Sequence, residues 1–147
     1  MQKQCWNHDH VRSHNSEKVL QMTPKEFLIS YVKKFNSGDI SSMISLYETE
    51  ACFVSQAREV VKGIDNVRQR LQSFINMNGK IDSKVIGVVQ TNDIALVNTE
   101  WSFNGSGPDG KAVTITGKAT DVLRQLSDGT WRILIDNPWG TNLKMTV

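Results

Sequence analysis

From Lys80 to Asp136 the chain shows no helical period; it runs through stretches rich in Val, Ile, Thr and Trp at 80–90, 94–104, 113–126 and 130–136. Thr91-Asn92-Asp93, Gly105 to Gly110 and Ser127-Asp128-Gly129 separate them. β-prone runs punctuated by such turn residues predict a long antiparallel meander. A sheet of that kind twists strongly and must bury one face against something. The chain offers a cover only upstream, so everything before Lys80 has to supply it.

Upstream, the helical period is clear. Thr23-Pro24-Lys25-Glu26 is a helix start: Thr23 caps, Pro24 suits the first helical position and Glu26 closes a capping box. Phe27, Leu28, Tyr31, Val32 and Phe35 follow at helical spacing, and Asn36-Ser37-Gly38 is a stop. Asp39 is placed to cap a second short helix carrying Ile40, Met43, Ile44, Leu46 and Tyr47. After Glu48-Thr49-Glu50 the period becomes two, predicting a strand over 51–55 and a short partner over 59–62 ending at Gly63. Ile64, Val67, Leu71, Phe74 and Ile75 then return to helical spacing until Asn78-Gly79. The expectation is an α+β domain over 23–147, its curved antiparallel sheet wrapped around the N-terminal helices as a cone with a pocket. Residues 1–22, rich in Gln, Asn, His and Ser, read as a flexible tail with one short helical piece around 17–22.

Several function classes fall away on charge and pattern. The 147 residues carry 17 Lys and Arg against 15 Asp and Glu, with no basic block, which argues against a nucleic-acid partner. No apolar run is long enough to span a membrane and the first residues are polar, so a soluble cytoplasmic protein with no membrane partner is expected. Cys5 and Cys52 form no disulfide framework. Cys5, His8, His10 and His14 lack the paired spacing and rigid support of a metal site, so no metal or other cofactor is expected. Gly105 to Gly110 is no phosphate loop, because no helix and no Lys-Ser/Thr follow it.

The order of elements resembles the SnoaL-like, or nuclear transport factor 2-like, superfamily that includes ketosteroid isomerase. Tyr31-Val32, Asn36-Ser37-Gly38-Asp39, Leu46-Tyr47 and Ala51 are similar to the first two helices and first strand of ketosteroid isomerases. Further on, "TDVLRQLSDGTWRILIDNPWG" looks like a bacterial branch of small SnoaL-like proteins with a D-N-P-W-G tail. The resemblance covers about residues 24 to 140. It implies that the family's oxyanion-hole tyrosine and aspartic acid fall on Tyr31 and Asp121, a pair expected to meet through the tyrosine hydroxyl. It also places the family's catalytic aspartate on Ser55 and an aromatic pocket wall on Trp139. Serine without a neighbouring His does not shuttle that proton, so steroid isomerisation is not expected.

Strand alternation sets Asp121 on one face with Ala119 and Leu123, and Thr120, Val122 and Arg124 on the other. The outer face is where superfamily members commonly dimerise, which implies a homodimer. For the missing base, Asp136, at the end of the last strand, is the first candidate and Glu100 a second. Asp136 is alternatively a partner for Arg124, Arg132 or the Asn137-Pro138 turn. The catalytic set is then Tyr31, Asp121 and Asp136, and the ligand-binding set Phe35, Phe53, Ser55, Trp101 and Trp139. These residues describe a pocket for a small hydrophobic or carbonyl-bearing molecule. As an enzyme it is an isomerase, cyclase or lyase that stabilises an enolate-like oxygen with Tyr31 and a protonated Asp121. As a non-catalytic protein it is a ligand-binding or dimeric interaction domain in which the same groups orient a ligand.

Overall fold

The computed structural model describes residues 21–140. Helix α1 spans Pro24–Ser37 and begins as its sequence dictates: Thr23 Oγ1 accepts from the Glu26 N–H at 3.2 Å while the Glu26 carboxylate accepts from the Thr23 N–H at 2.7 Å. Gly38, at φ 75°, ends it in the left-handed conformation. Asn36 then fastens this end to the sheet, since its amide donates to the Ile81 carbonyl at 2.9 Å and accepts from the Ile81 N–H at 2.8 Å. Most of the tail expected over 1–22, with Cys5, His8, His10 and His14, lies outside the described residues. Of its last two residues neither is helical, and Met22 is tied down by its carbonyl, which accepts from the Trp131 indole at 2.7 Å.

Helix α2 covers only Ile40–Ile44, capped by Asp39, whose carboxylate accepts from the Ser41 and Ser42 N–H groups. The longer helix expected through Tyr47 is a correction: strand β1 starts at that residue and runs over Tyr47–Val54. Tyr47 fits a helical stripe with Met43 and Ile44, but the backbone there is claimed by the far end of the chain. Tyr47 lies beside Ile133 in a parallel pair, and the Ile133 N–H donates to the Leu46 carbonyl at 2.8 Å. The remaining elements are β2 (Val60–Lys62), α3 (Ile64–Ile75), β3 (Lys80–Thr91), β4 (Ile94–Ser106), β5 (Ala112–Gln125) and β6 (Trp131–Asp136).

The strands form one sheet in the order β2-β1-β6-β5-β4-β3. The meander from β3 to β6 is antiparallel, and β1 joins it in parallel beside β6. Register shifts between Val85 and Gly87 and between Val122 and Leu123 bend the long strands, so the sheet curls over the helices. On β4 the inward residues Ala95, Val97, Thr99, Trp101 and Phe103 are all buried, as a half-buried strand requires. Helix α1 packs on β3 and α3 on β1, closing a core that includes Phe27, Met43, Val67, Leu71, Leu123 and Ile133. This is the α+β, helix-filled curved sheet expected from the chain. Among the described residues no helix is long and apolar enough to cross a membrane.

Candidate functional site

Between α1 and the concave face of the sheet, three hydroxyl and carboxyl groups form a line. Tyr31, from the apolar stripe of α1, has its hydroxyl 3.1 Å from that of Tyr47, the first residue of β1. The Tyr47 hydroxyl donates to Asp136 Oδ2, at the end of β6, at 2.5 Å. Tyr47 and Asp136 are 5% and 7% exposed, so both groups depend on partners inside the fold. The parallel pairing of β1 with β6 brings these residues, 89 positions apart in sequence, within reach: Tyr47 lies beside Ile133 and Asp136 beside Phe53, and the Tyr47 hydroxyl meets the Asp136 carboxylate.

Asp121 enters from β5, opposite Val97 on the inner face of β4. Its Oδ1 accepts from the Asn137 N–H at 2.8 Å, so it is Asp121 that holds the turn after β6. Three expectations change here. The partner of the Tyr31 hydroxyl is Tyr47, not Asp121. Asp136 pairs with neither arginine: Arg124 faces Glu48 at 3.4 Å and Arg132 donates to the Trp131 carbonyl. Glu100 leaves the list of candidates, since it faces outward and pairs with Lys118 at 3.4 Å.

The carboxyls sit in a medium that disfavours charge. Burial pushes the Asp136 pKa up to about 6, against the Tyr47 hydrogen bond, which lowers it. Asp121 is raised well above the ordinary aspartate value, first by burial and then by the negative charge of Asp136; the Asn137 N–H pulls the other way. Burial likewise raises both phenols well above their ordinary value, with the Asp136 charge adding to it. Both therefore stay protonated across the physiological range.

Tyr31, Asp121 and Asp136 line a cavity of about 70 Å³ whose remaining walls are mainly apolar, Phe35, Phe53, Leu71, Trp101 and Phe103 among them. No Lys or Arg lines it among the described residues. The Trp101 indole donates to the Pro138 carbonyl at 2.8 Å and meets Trp139 edge-on at 5.4 Å. It has room because its strand partner is Gly117, where a Cβ would come within 2.8 Å of the ring. Trp139 and Ser55 lie instead on a neighbouring cleft of about 230 Å³, which shares Phe53 and Phe74 with the cavity and has Arg70 on its wall. The Ser55 hydroxyl accepts from the Glu59 N–H at 3.2 Å, a turn contact. Of the proposed site residues the structure thus gathers Tyr31, Phe35, Phe53, Trp101, Asp121 and Asp136, and separates Ser55 and Trp139. Tyr47 escaped the sequence reading because it fits the apolar spacing of α2. The signal it left is that a polar-tipped aromatic in an apolar stripe needs a partner.

The model of the SnoaL-like domain matches residues 28–133. Three solved structures share the fold. A ketosteroid isomerase-like protein from Erwinia carotovora atroseptica is 21% identical over 76% of this chain and 88% of that one, with a TM-score of 0.66. A candidate dehydratase of the NTF2-like family from Streptomyces avermitilis is 20% identical over 76% and 89%, with a TM-score of 0.65. An epoxide hydrolase/cyclase-like enzyme with a role in pyran ring formation in the polyether salinomycin is 20% identical over 81% and 92%, with a TM-score of 0.63. At these identities the likeness carries the fold alone. No curated protein matches the chain.

Proposed function

The chain belongs to the SnoaL-like domain family, and from that premise we propose that it is an enzyme of isomerase or cyclase type, moving protons on a small, mainly apolar molecule held between Asp121 and Asp136. One observation carries this reading: two carboxyls, Asp136 buried and Asp121 half-buried, border one mainly apolar cavity that no Lys or Arg lines among the described residues, and burial raises the pKa of both. The negative charge of Asp136 adds to burial at Asp121, which makes Asp121 the group to keep a proton and Asp136 the group to take one. Environments that treat two carboxyls differently in this way assign a base and an acid. Asp121 then donates to the oxygen on which charge develops, as expected from the chain, and Asp136 stands in for the base absent at Ser55. Tyr31 is not a free donor in this state, because its hydroxyl donates to that of Tyr47.

The outer sheet face supports the dimer. Val89, Leu96, Val122 and Ile135 stand opposite one another across β3, β4, β5 and β6, and Val89, Leu96 and Ile135 are exposed. An apolar row of this length on a self-complementary face suits a second copy of the chain.

The test is turnover of a panel of enolisable ketones, lactones and hydroxy-epoxides by the wild type, Asp136→Asn and Asp121→Asn. Each substitution is expected to lower kcat by about 10²- to 10⁴-fold, the usual contribution of a positioned acid or base. Turnover unchanged in both variants rejects the proposal. A non-catalytic ligand carrier is favoured by the turn role of the Ser55 hydroxyl. It predicts ligands that raise the Tm of the wild type but are never converted.

A further inference from the structure

Tyr31 and Tyr47 are the only tyrosines in the chain, and both belong to the line that ends at Asp136. Each phenol has one proton to donate. When Asp136 is ionised, Tyr47 must donate its hydrogen bond to Oδ2, and in the Tyr31–Tyr47 contact only Tyr31 can be the donor. The cavity then sees lone pairs on the Tyr31 oxygen. When Oδ2 carries a proton the line runs the other way: Asp136 donates to Tyr47, Tyr47 to Tyr31, and the Tyr31 O–H is released toward the cavity.

We propose that Tyr47 is a positioning residue that joins Tyr31 to Asp136 as a proton wire, so that a water or alcohol bound against Tyr31 is deprotonated by Asp136 without touching it. The proposal rests on the proton-transfer reading given above. In the step, the O–H bond of the bound molecule breaks as its proton passes to the Tyr31 oxygen. The Tyr31 proton moves to Tyr47 and the Tyr47 proton to Asp136 Oδ2. One negative charge travels from Asp136 to the bound oxygen, no electrons are gained or lost, and the reversed Tyr31 O–H now donates to the oxyanion it created. The substrate class this favours carries, or is attacked by, a nucleophilic hydroxyl, while Asp121 protonates the oxygen that receives the electron pair. The ionisable groups facing Asp136 are Tyr31 from α1, Tyr47 from β1 and Asp121 from β5; no cation lines the cavity among the described residues.

Protein labelled at tyrosine Cζ gives two resonances, both from this line, and they are followed by NMR through the titration of Asp136 near pH 6, with the Asp136 carboxyl carbon as reference. Both tyrosine signals are expected to shift with the Asp136 midpoint. In Tyr47→Phe, which keeps the ring and breaks the line, the Tyr31 signal is expected to keep only the smaller shift that the Asp136 charge itself exerts across the cavity. A Tyr31 signal that shifts as far with Asp136 in Tyr47→Phe as in the wild type overturns the wire. If Tyr47→Phe does not fold, the wild type decides, since a Tyr31 midpoint different from that of Asp136 overturns it equally. The titration needs no substrate, so a protein in which Tyr31 follows Asp136 but nothing is turned over keeps the wire and loses the reaction.

Discussion

Asp121 combines two tasks that substitution separates. Its Oδ1 receives the Asn137 N–H, and its protonated state supplies the acid of the proposed reaction. Asp121→Ala is expected to destabilise the fold by about 1–3 kcal/mol, the cost of leaving a part-buried N–H without its acceptor. Asp121→Asn keeps an acceptor and is expected to unfold in urea within about 1 kcal/mol of the wild type. A loss of activity in the asparagine variant with stability kept then reports the proton and not the turn. Asp136→Asn has a different signature, because the charge of Asp136 helps to raise Asp121. Removing it is expected to lower the Asp121 pKa, read from the Asp121 carboxyl resonance; an unchanged value would place the two carboxyls out of electrostatic contact.

At the level of elements, the cavity wall depends on a side chain that is missing. Trp101 lies over Gly117, and a methyl group there would press on the indole at 2.8 Å. Gly117→Ala is expected to cost about 1–3 kcal/mol, as overpacking does, and to change the tryptophan fluorescence as Trp101 moves against Trp139. Thr23→Ala removes the cap of α1 and is expected to cost about 1 kcal/mol, checked by the urea midpoint. These elements were legible in the chain because their causes are local. The capping box, Gly38, the turns of the meander and the alternation of Asp121 with Ala119 and Leu123 are written in neighbouring residues. The line through Tyr47 was not, because its cause is remote. Spacing from Met43 and Ile44 favours a helix through Tyr47, and only pairing with Ile133 makes it a strand. The resemblance likewise matches Tyr31 with Asp121, whereas the residue that meets it is Tyr47 of β1, set in place by the pairing of β1 with β6.

For the whole molecule, the raised carboxyl pKa values make stability depend on pH in the direction opposite to that of a salt-bridged protein. An aspartate near 3.9 when unfolded and about 6 when folded binds its proton more tightly in the native state. Its contribution is fully present below pH 4 and is lost as pH rises through 6, about 3 kcal/mol in all. The Tm of the wild type relative to Asp136→Asn is therefore expected to fall from pH 5 to pH 8; a constant difference would show that Asp136 is not raised. Leu96→Lys, in the middle of the outer row, is expected to give monomers in sedimentation velocity without a change in helix content. The parallel seam between β1 and β6 has a further consequence, one in time. A chain emerging from the ribosome can form α1, α3 and the β3–β4 hairpin early, because their contacts are close in sequence. Tyr47 has no acidic partner until β6 has been synthesised, 89 residues later. Until then β1 has no neighbour on that edge, so the last of the described strands to be made completes both the sheet and the candidate site, and a nascent chain arrested before Asp136 carries the fold's parts without the carboxyl that ends the line of hydroxyls.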